Sequence, residues 1–283
     1  MTSIVPMKWL LARLYEPDLA IADCRFQPQD PDAGRKAYEE SYIPGAIYLD
    51  LEKDLSSPAA EHGSRHPLPD PDAFAAKLGK LGITRKTRVV AYDDQGGAMA
   101  SRLWWLLRYL GHEQVYVMDQ GFTAWREAGY PVTSARPPIR VPAVYEADVQ
   151  RHLLADVDEV RQASRTGRAL LIDSREPKRF TGAEEPIDHK AGHIPGASNW
   201  FWKDNLTADG RWKTAGELAE RFASLPRDKE LIVYCGSGVT ACTNVLALNE
   251  AGFERVKLYA GSWSDWISYP ENPVEKGPGK PAG

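Results

Sequence analysis

Cysteine is scarce in this chain of 283 residues, which holds only Cys24, Cys235 and Cys242. An odd number at unrelated spacings excludes a disulfide framework, and neither Cys-x-x-Cys nor a Cys/His metal spacing occurs. Long apolar runs are missing as well. A membrane span needs about 20 such residues, and the run from Leu103 to Leu107 is closed off by Arg102 and Arg108. Positive charge is not in excess: the net charge of −4 leaves no electrostatic footprint for nucleic acid. Lys8 and Arg13 fall inside the N-terminal apolar segment and no small-residue cleavage site follows, so a cytoplasmic protein is expected. The hydrophobic fraction of 43% and charged fraction of 26% are those of a globular chain, long enough for two ordinary domains or one large one.

The organising feature is an internal repeat. Leu19-Ala20-Ile21-Ala22-Asp23-Cys24-Arg25 precedes Tyr42-Ile43-Pro44-Gly45-Ala46, and Leu170-Leu171-Ile172-Asp173-Ser174-Arg175 precedes His193-Ile194-Pro195-Gly196-Ala197. The aspartate-to-isoleucine separation is 20 residues in the first copy and 21 in the second. Val89-Val90-Ala91-Tyr92-Asp93 then matches Leu231-Ile232-Val233-Tyr234-Cys235, and each is followed by a Gly-containing turn and a helical pattern. Strand and helix alternate in both copies, which implies parallel sheets flanked by helices on both faces, an α/β class. The Pro/Arg-rich stretch around Pro137-Pro138 separates the copies. The expected division is a first domain over 1–135, a linker over 136–150, a second domain over 151–270 and a flexible tail over 271–283.

Chemistry concentrates at Cys235-Gly236-Ser237-Gly238-Val239-Thr240-Ala241. A turn between a strand and a helix, at the carboxyl end of a parallel strand, gathers backbone N–H groups and the positive end of a helix dipole. Such a place favours a thiolate over a thiol; the competing reading is a buried cysteine that ends a strand. Two reaction classes suit a reactive thiol there, attack on phosphorus and attack on sulfur. Phosphatases of the Cys-x5-Arg type need an arginine at the position of Ala241, which argues for sulfur. Asp93 replaces the cysteine in the first copy, so that module is expected to be a scaffold and partial wall of the site, with Asp93 as an independent catalytic acid the competing reading. The tryptophans Trp104, Trp105, Trp200, Trp202, Trp263 and Trp266 read as packing residues, and so does Cys242.

These loops and paired segments resemble the two-domain rhodanese family of sulfurtransferases, over roughly Trp9 to Tyr269. Within it, the Cys-Gly-Ser-Gly-Val-Thr-Ala loop is similar to that of members acting on 3-mercaptopyruvate, whereas thiosulfate-using members carry basic residues directly after the cysteine. The resemblance implies two rhodanese-like domains and a persulfide carried on Cys235, with no metal and no organic cofactor. The loop residues Gly236, Gly238, Val239 and Thr240 would hold the sulfur anion. Arg179 would bind the donor carboxylate, and Lys190 would replace a second arginine that some members carry. Ser237, His66 and Glu52 would form a proton relay; Ser237 as a turn residue and His66 as a loop residue ordered by its prolines are the competing readings. The acceptor would be cyanide or a thiol, such as a small thiol or a reduced thioredoxin-like protein. Two alternatives stand beside this one: thiosulfate as the donor, and a non-catalytic sulfur-relay or scaffold protein.

Overall fold

The structure, a computed structural model, describes residues 2–137 and 139–279. Pro138 of the expected linker and residues 280–283 of the expected tail lie outside the described residues. The chain forms two compact units. One contains Met1–Ser57, Leu68–Gln150 and Ala208–Trp212; the other contains Pro58–Pro67, Arg151–Thr207 and Lys213–Gly283.

The first unit is built on strands β1 (Ile4–Val5), β2 (Leu19–Asp23), β3 (Ala46–Tyr48), β4 (Arg88–Tyr92) and β5 (Val115–Met118), with helices α1 (Met7–Leu11), α2 (Ala33–Glu40), α3 (Pro71–Lys80), α4 (Ala98–Tyr109) and α5 (Phe122–Glu127). The second has β6 (Ala169–Asp173), β7 (Ser198–Asn199), β8 (Glu230–Tyr234) and β9 (Val256–Leu258), with α6 (Val157–Thr166), α7 (Pro177–Thr181), α8 (Ala215–Arg221), α9 (Ala241–Glu250) and α10 (Ser262–Trp266). Both sheets are wholly parallel, in the orders β1-β5-β4-β2-β3 and β7-β6-β8-β9. The second therefore repeats the first without its edge strand. A single parallel bridge, Leu154 to Leu258, stands where β1 pairs with β5.

The sequence explains these elements. All five residues of β2 and the last four of β8 are buried, as expected of parallel strands covered on both sides. Helix α6 begins at a capping box, with Asp156 accepting from the Glu159 amide and Glu159 accepting from the Asp156 amide. It ends at Gly167, whose φ of 65° is left-handed, and it buries Val160 and Ala163 one turn apart. Trp104, Trp105, Trp263 and Trp266 are core residues, each at most 1% exposed. Among the described residues no helix is long and apolar enough to cross a membrane.

The repeated Asp-x-Arg segments become repeated buried ion pairs. After β2, Arg25 Nη2 lies 2.6 Å from Asp23 Oδ2 and donates to the Ser41 carbonyl at 2.7 Å. After β6, Arg175 Nη2 lies 2.6 Å from Asp173 Oδ2 and donates to the Gly192 carbonyl at 2.7 Å. Each pair ties a strand end to the Ile-Pro-Gly-Ala turn. Breaking such a pair strands a buried charge and costs about 3–5 kcal/mol.

Two connecting stretches are more ordered than their composition implies. The 139–150 segment is strapped to the first unit: the Ala143 amide donates to Gly79, Asp148 to Leu110 and Gln150 to Tyr109. The stretch expected to be a flexible tail is bonded to the second unit as far as Gly277. Glu275 exchanges two backbone hydrogen bonds with His193, and the Gly277 amide donates to Thr181. Backbone pairing supplies there the order that the proline and glycine content disfavours.

Candidate active site

In the second sheet β6 and β8 are neighbours, and the chain leaves them toward opposite edges. Their carboxyl ends therefore mark the switch point at which such sheets take ligands. Cys235 is the first residue after β8 and is 2% exposed. Its amide donates to Ser262 Oγ at 3.1 Å, and its carbonyl accepts from the Trp263 amide at 2.9 Å. Ser262 has a φ of 58°, a left-handed backbone that costs a non-glycine residue about 1–3 kcal/mol. Its hydroxyl, which also donates to the Tyr259 carbonyl at 3.0 Å, is what that conformation presents to the cysteine.

The loop that follows is shaped by glycine. Gly238 has a φ of 75°, and a Cβ there would lie 2.3 Å from the Ala260 carbonyl oxygen, so no side chain fits. Among the described residues, the amides of Gly236, Ser237, Val239, Thr240 and Ala241 donate to no protein acceptor. The same loop in the first unit shows what such amides can do. Asp93, fully buried, accepts from Gln95 and Gly97 through Oδ1 at 2.8 Å each, and from Met99 and Ala100 through Oδ2 at 2.8 and 2.9 Å. Burial raises the pKa of this carboxyl, and the four amides oppose that effect. The loop geometry is thus an anion cradle, and in the first unit the chain fills it with its own carboxylate.

Polar side chains surround the Cys235 loop within the second unit. His66 Nδ1 lies 2.9 Å from Ser237 Oγ. The segment carrying His66 is anchored by Ser64 Oγ donating to the Ser237 carbonyl at 2.7 Å and by the Gly63 amide donating to Asp265 Oδ1 at 2.8 Å. The bare α-carbon of Gly236 faces two guanidinium groups. A Cβ on it would lie 3.0 Å from Arg65 Nη2 and 3.6 Å from Nη1 and Nη2 of Arg179. Arg179 Nη2 donates to Glu185 Oε1 at 2.7 Å and to Asp188 Oδ2 at 2.9 Å, while Arg65 Nη1 donates to Asp188 Oδ1. Burial raises the pKa of Asp188 and Glu185 adds to the rise, against the pull of Arg65 and Arg179.

Residues 6–128 and 156–269 both match the rhodanese-like domain. The chain belongs to the rhodanese-like family. It is 47% identical over 274 residues to a Pseudomonas aeruginosa protein described as "Probable 3-mercaptopyruvate sulfurtransferase", with 95% of this chain and 96% of that protein covered. It is 36% identical to the thiosulfate sulfurtransferase of Bos taurus, over 98% of this chain and 96% of that one. The crystal structure of SseA from Escherichia coli, from work on the rhodanese fold of 3-mercaptopyruvate sulfotransferases, superposes with a TM-score of 0.81 at 32% identity, covering 93% of this chain and 99% of that one.

Of the residues expected to serve a rhodanese site, Cys235, Gly236, Ser237, Gly238, Val239 and Thr240 form one loop, with His66 on Ser237 and Arg179 beside Gly236. Lys190 makes no side-chain hydrogen bond to that loop among the described residues, and Glu52 belongs to the first unit. Glu52 is an exposed residue of the first unit whose amide donates to Asp50 Oδ1 at 2.9 Å. Lys190 accepts from Trp263 Nε1 at 3.0 Å through its carbonyl, and its ammonium has no hydrogen bond or ion pair among the described residues. Sequence reasoning missed Arg65 and Ser262. The neutral rhodanese loop is flanked by cations, but they come from elsewhere in the chain. Arg65 adjoins His66 in sequence, which was the available signal.

Proposed function

We propose that this chain is a sulfurtransferase that takes sulfur from 3-mercaptopyruvate onto Cys235 and passes it to a thiol or to cyanide. The Cys235 thiolate attacks the donor's sulfur. The carbon–sulfur bond breaks, its electron pair passes to carbon as the enolate of pyruvate, and Cys235 is left as a persulfide. The loop amides stabilise the sulfur anion as the Asp93 carboxylate is stabilised in the first unit. Arg179 and Arg65 attract the donor carboxylate, for which a planar guanidinium is suited. Ser237, held by His66, carries the proton that turns the enolate into pyruvate. An acceptor thiolate or cyanide then attacks the outer sulfur and releases the Cys235 thiolate.

The observation that carries this reading is a cysteine at the head of a loop whose counterpart holds a carboxylate by four amides. The choice of donor rests on the similarity to the Pseudomonas protein. Thiosulfate is the second reading, supported by the two guanidiniums beside Gly236 and by the bovine relative. A reducing compartment, the cytoplasm, suits the three free thiols. Steady-state rates with each donor and cyanide, together with mass spectrometry of the donor-treated protein, test the proposal. Cys235 should gain one sulfur atom, and 3-mercaptopyruvate should be preferred. Thiocyanate formation by Cys235→Ser would remove the cysteine from the mechanism.

A further inference from the structure

Arg65, Arg175 and Arg179 meet Asp173, Glu185 and Asp188 in one connected cluster. Three positive and three negative groups leave it locally neutral. Asp188 is the member that joins Arg65 to Arg179, the two guanidiniums beside Gly236, and its side chain is only 5% exposed. The second carboxylate on Arg179, Glu185, also reaches Arg175 at 3.4 Å, so it belongs to the inner part of the cluster. Asp188 therefore holds Nη1 of Arg65 and Nη2 of Arg179, while Arg65 Nη2 and Arg179 Nη1 face Gly236.

We propose that Asp188 is a specificity-determining positioning residue. It bridges Arg65 and Arg179 as an internal carboxylate, orients both toward the Cys235 loop and cancels one of their charges, so that the site accepts a monoanionic sulfur donor and disfavours a dianionic one. The inference rests on the sulfurtransferase reading above. Its physical basis is Coulombic: a unit charge removed from or added to the wall changes the attraction for a dianion twice as much as for a monoanion. A carboxylate held at bonding distance from both guanidiniums also sets the angle of each fork, which a neutral amide does less firmly.

The test is the ratio of kcat/KM for thiosulfate to that for 3-mercaptopyruvate. In Asp188→Asn this ratio should rise by about tenfold or more, chiefly through a lower KM for thiosulfate, and Asp188→Ser should move it the same way. Asp188→Glu should keep the wild-type ratio within about threefold. An unchanged ratio, or an equal loss with both donors in Asp188→Asn and Asp188→Ser, overturns the proposal, since a merely structural aspartate would give that result. Binding of sulfate and of pyruvate to Cys235→Ser, with and without Asp188→Asn, tests the charge argument without turnover. Tryptophan fluorescence should report sulfate gaining affinity relative to pyruvate when Asp188 is replaced, and no relative gain also overturns the proposal. Should wild type turn over neither donor, the sulfurtransferase reading fails while the binding ratio still decides the role of Asp188.

Discussion

Removing the carboxylate of Asp93 measures how strongly this loop design demands an anion. Asp93→Ala strands four amides that now donate at 2.8–2.9 Å in a fully buried place. Met99 and Ala100 lie in the first turn of α4, where losing a capping side chain costs about 0.5–2 kcal/mol. Gln95 and Gly97 lie in the turn itself, where an orphaned buried donor costs about 1–3 kcal/mol. The expected loss is about 3–5 kcal/mol, discounted for water that reaches the vacated loop. Native-state hydrogen exchange, read on peptides spanning 88–109, is the suitable assay because a two-unit protein need not unfold in one step. The four amides should lose protection by a factor of at least about a hundred. A loss below about 1 kcal/mol would refute the reasoning, because the amides would then be satisfied without an anion. Asp93→Asn should fall between, since one oxygen keeps accepting while the new amide group confronts two donors.

Three further outcomes are expected. His66→Gln should lower kcat by about a hundredfold with a smaller change in KM; an unchanged kcat would make His66 a structural partner of Ser237. Arg179→Gln should raise the KM for 3-mercaptopyruvate by about 10–100-fold, as for the loss of a charged hydrogen bond, and stopped-flow binding of pyruvate should weaken in parallel. His112 is buried, with Nε2 2.8 Å from the Thr87 carbonyl oxygen, and burial lowers its pKa from the usual 6.5. The unfolded chain then binds more protons than the folded one below about pH 6.5, so stability falls as pH drops through that range. His112→Gln should flatten this acid limb in urea titrations made at a series of pH values, and a limb of unchanged slope would exclude His112 as its cause.

Much of the fold was legible because it is written twice. The Asp-x-Arg and Ile-Pro-Gly-Ala segments returned as matching ion pairs at Asp23–Arg25 and Asp173–Arg175, each holding the carbonyl just before its turn. The cysteine loop was legible for a local reason, since Gly238 and the strand-to-helix pattern specify it within seven residues. The placement of Arg65 was not local. It depends on the Arg65 amide donating to Ser264 Oγ and on Ser64 reaching the Ser237 carbonyl, partners 199 and 173 residues away. No periodicity or motif encodes such contacts.

The membership of Pro58–Pro67 in the second unit bears on how divisible this protein is. Its sequence falls into two halves that invite separation at the proline-rich stretch between them. A polypeptide beginning at Arg151 would nevertheless lack ten residues of its own unit, Arg65 and His66 among them. Duplication of the gene segment has therefore not produced two interchangeable parts. The half that carries the thiol depends on a ribbon of chain translated long before it, and an autonomous single-module version would have to supply that ribbon anew.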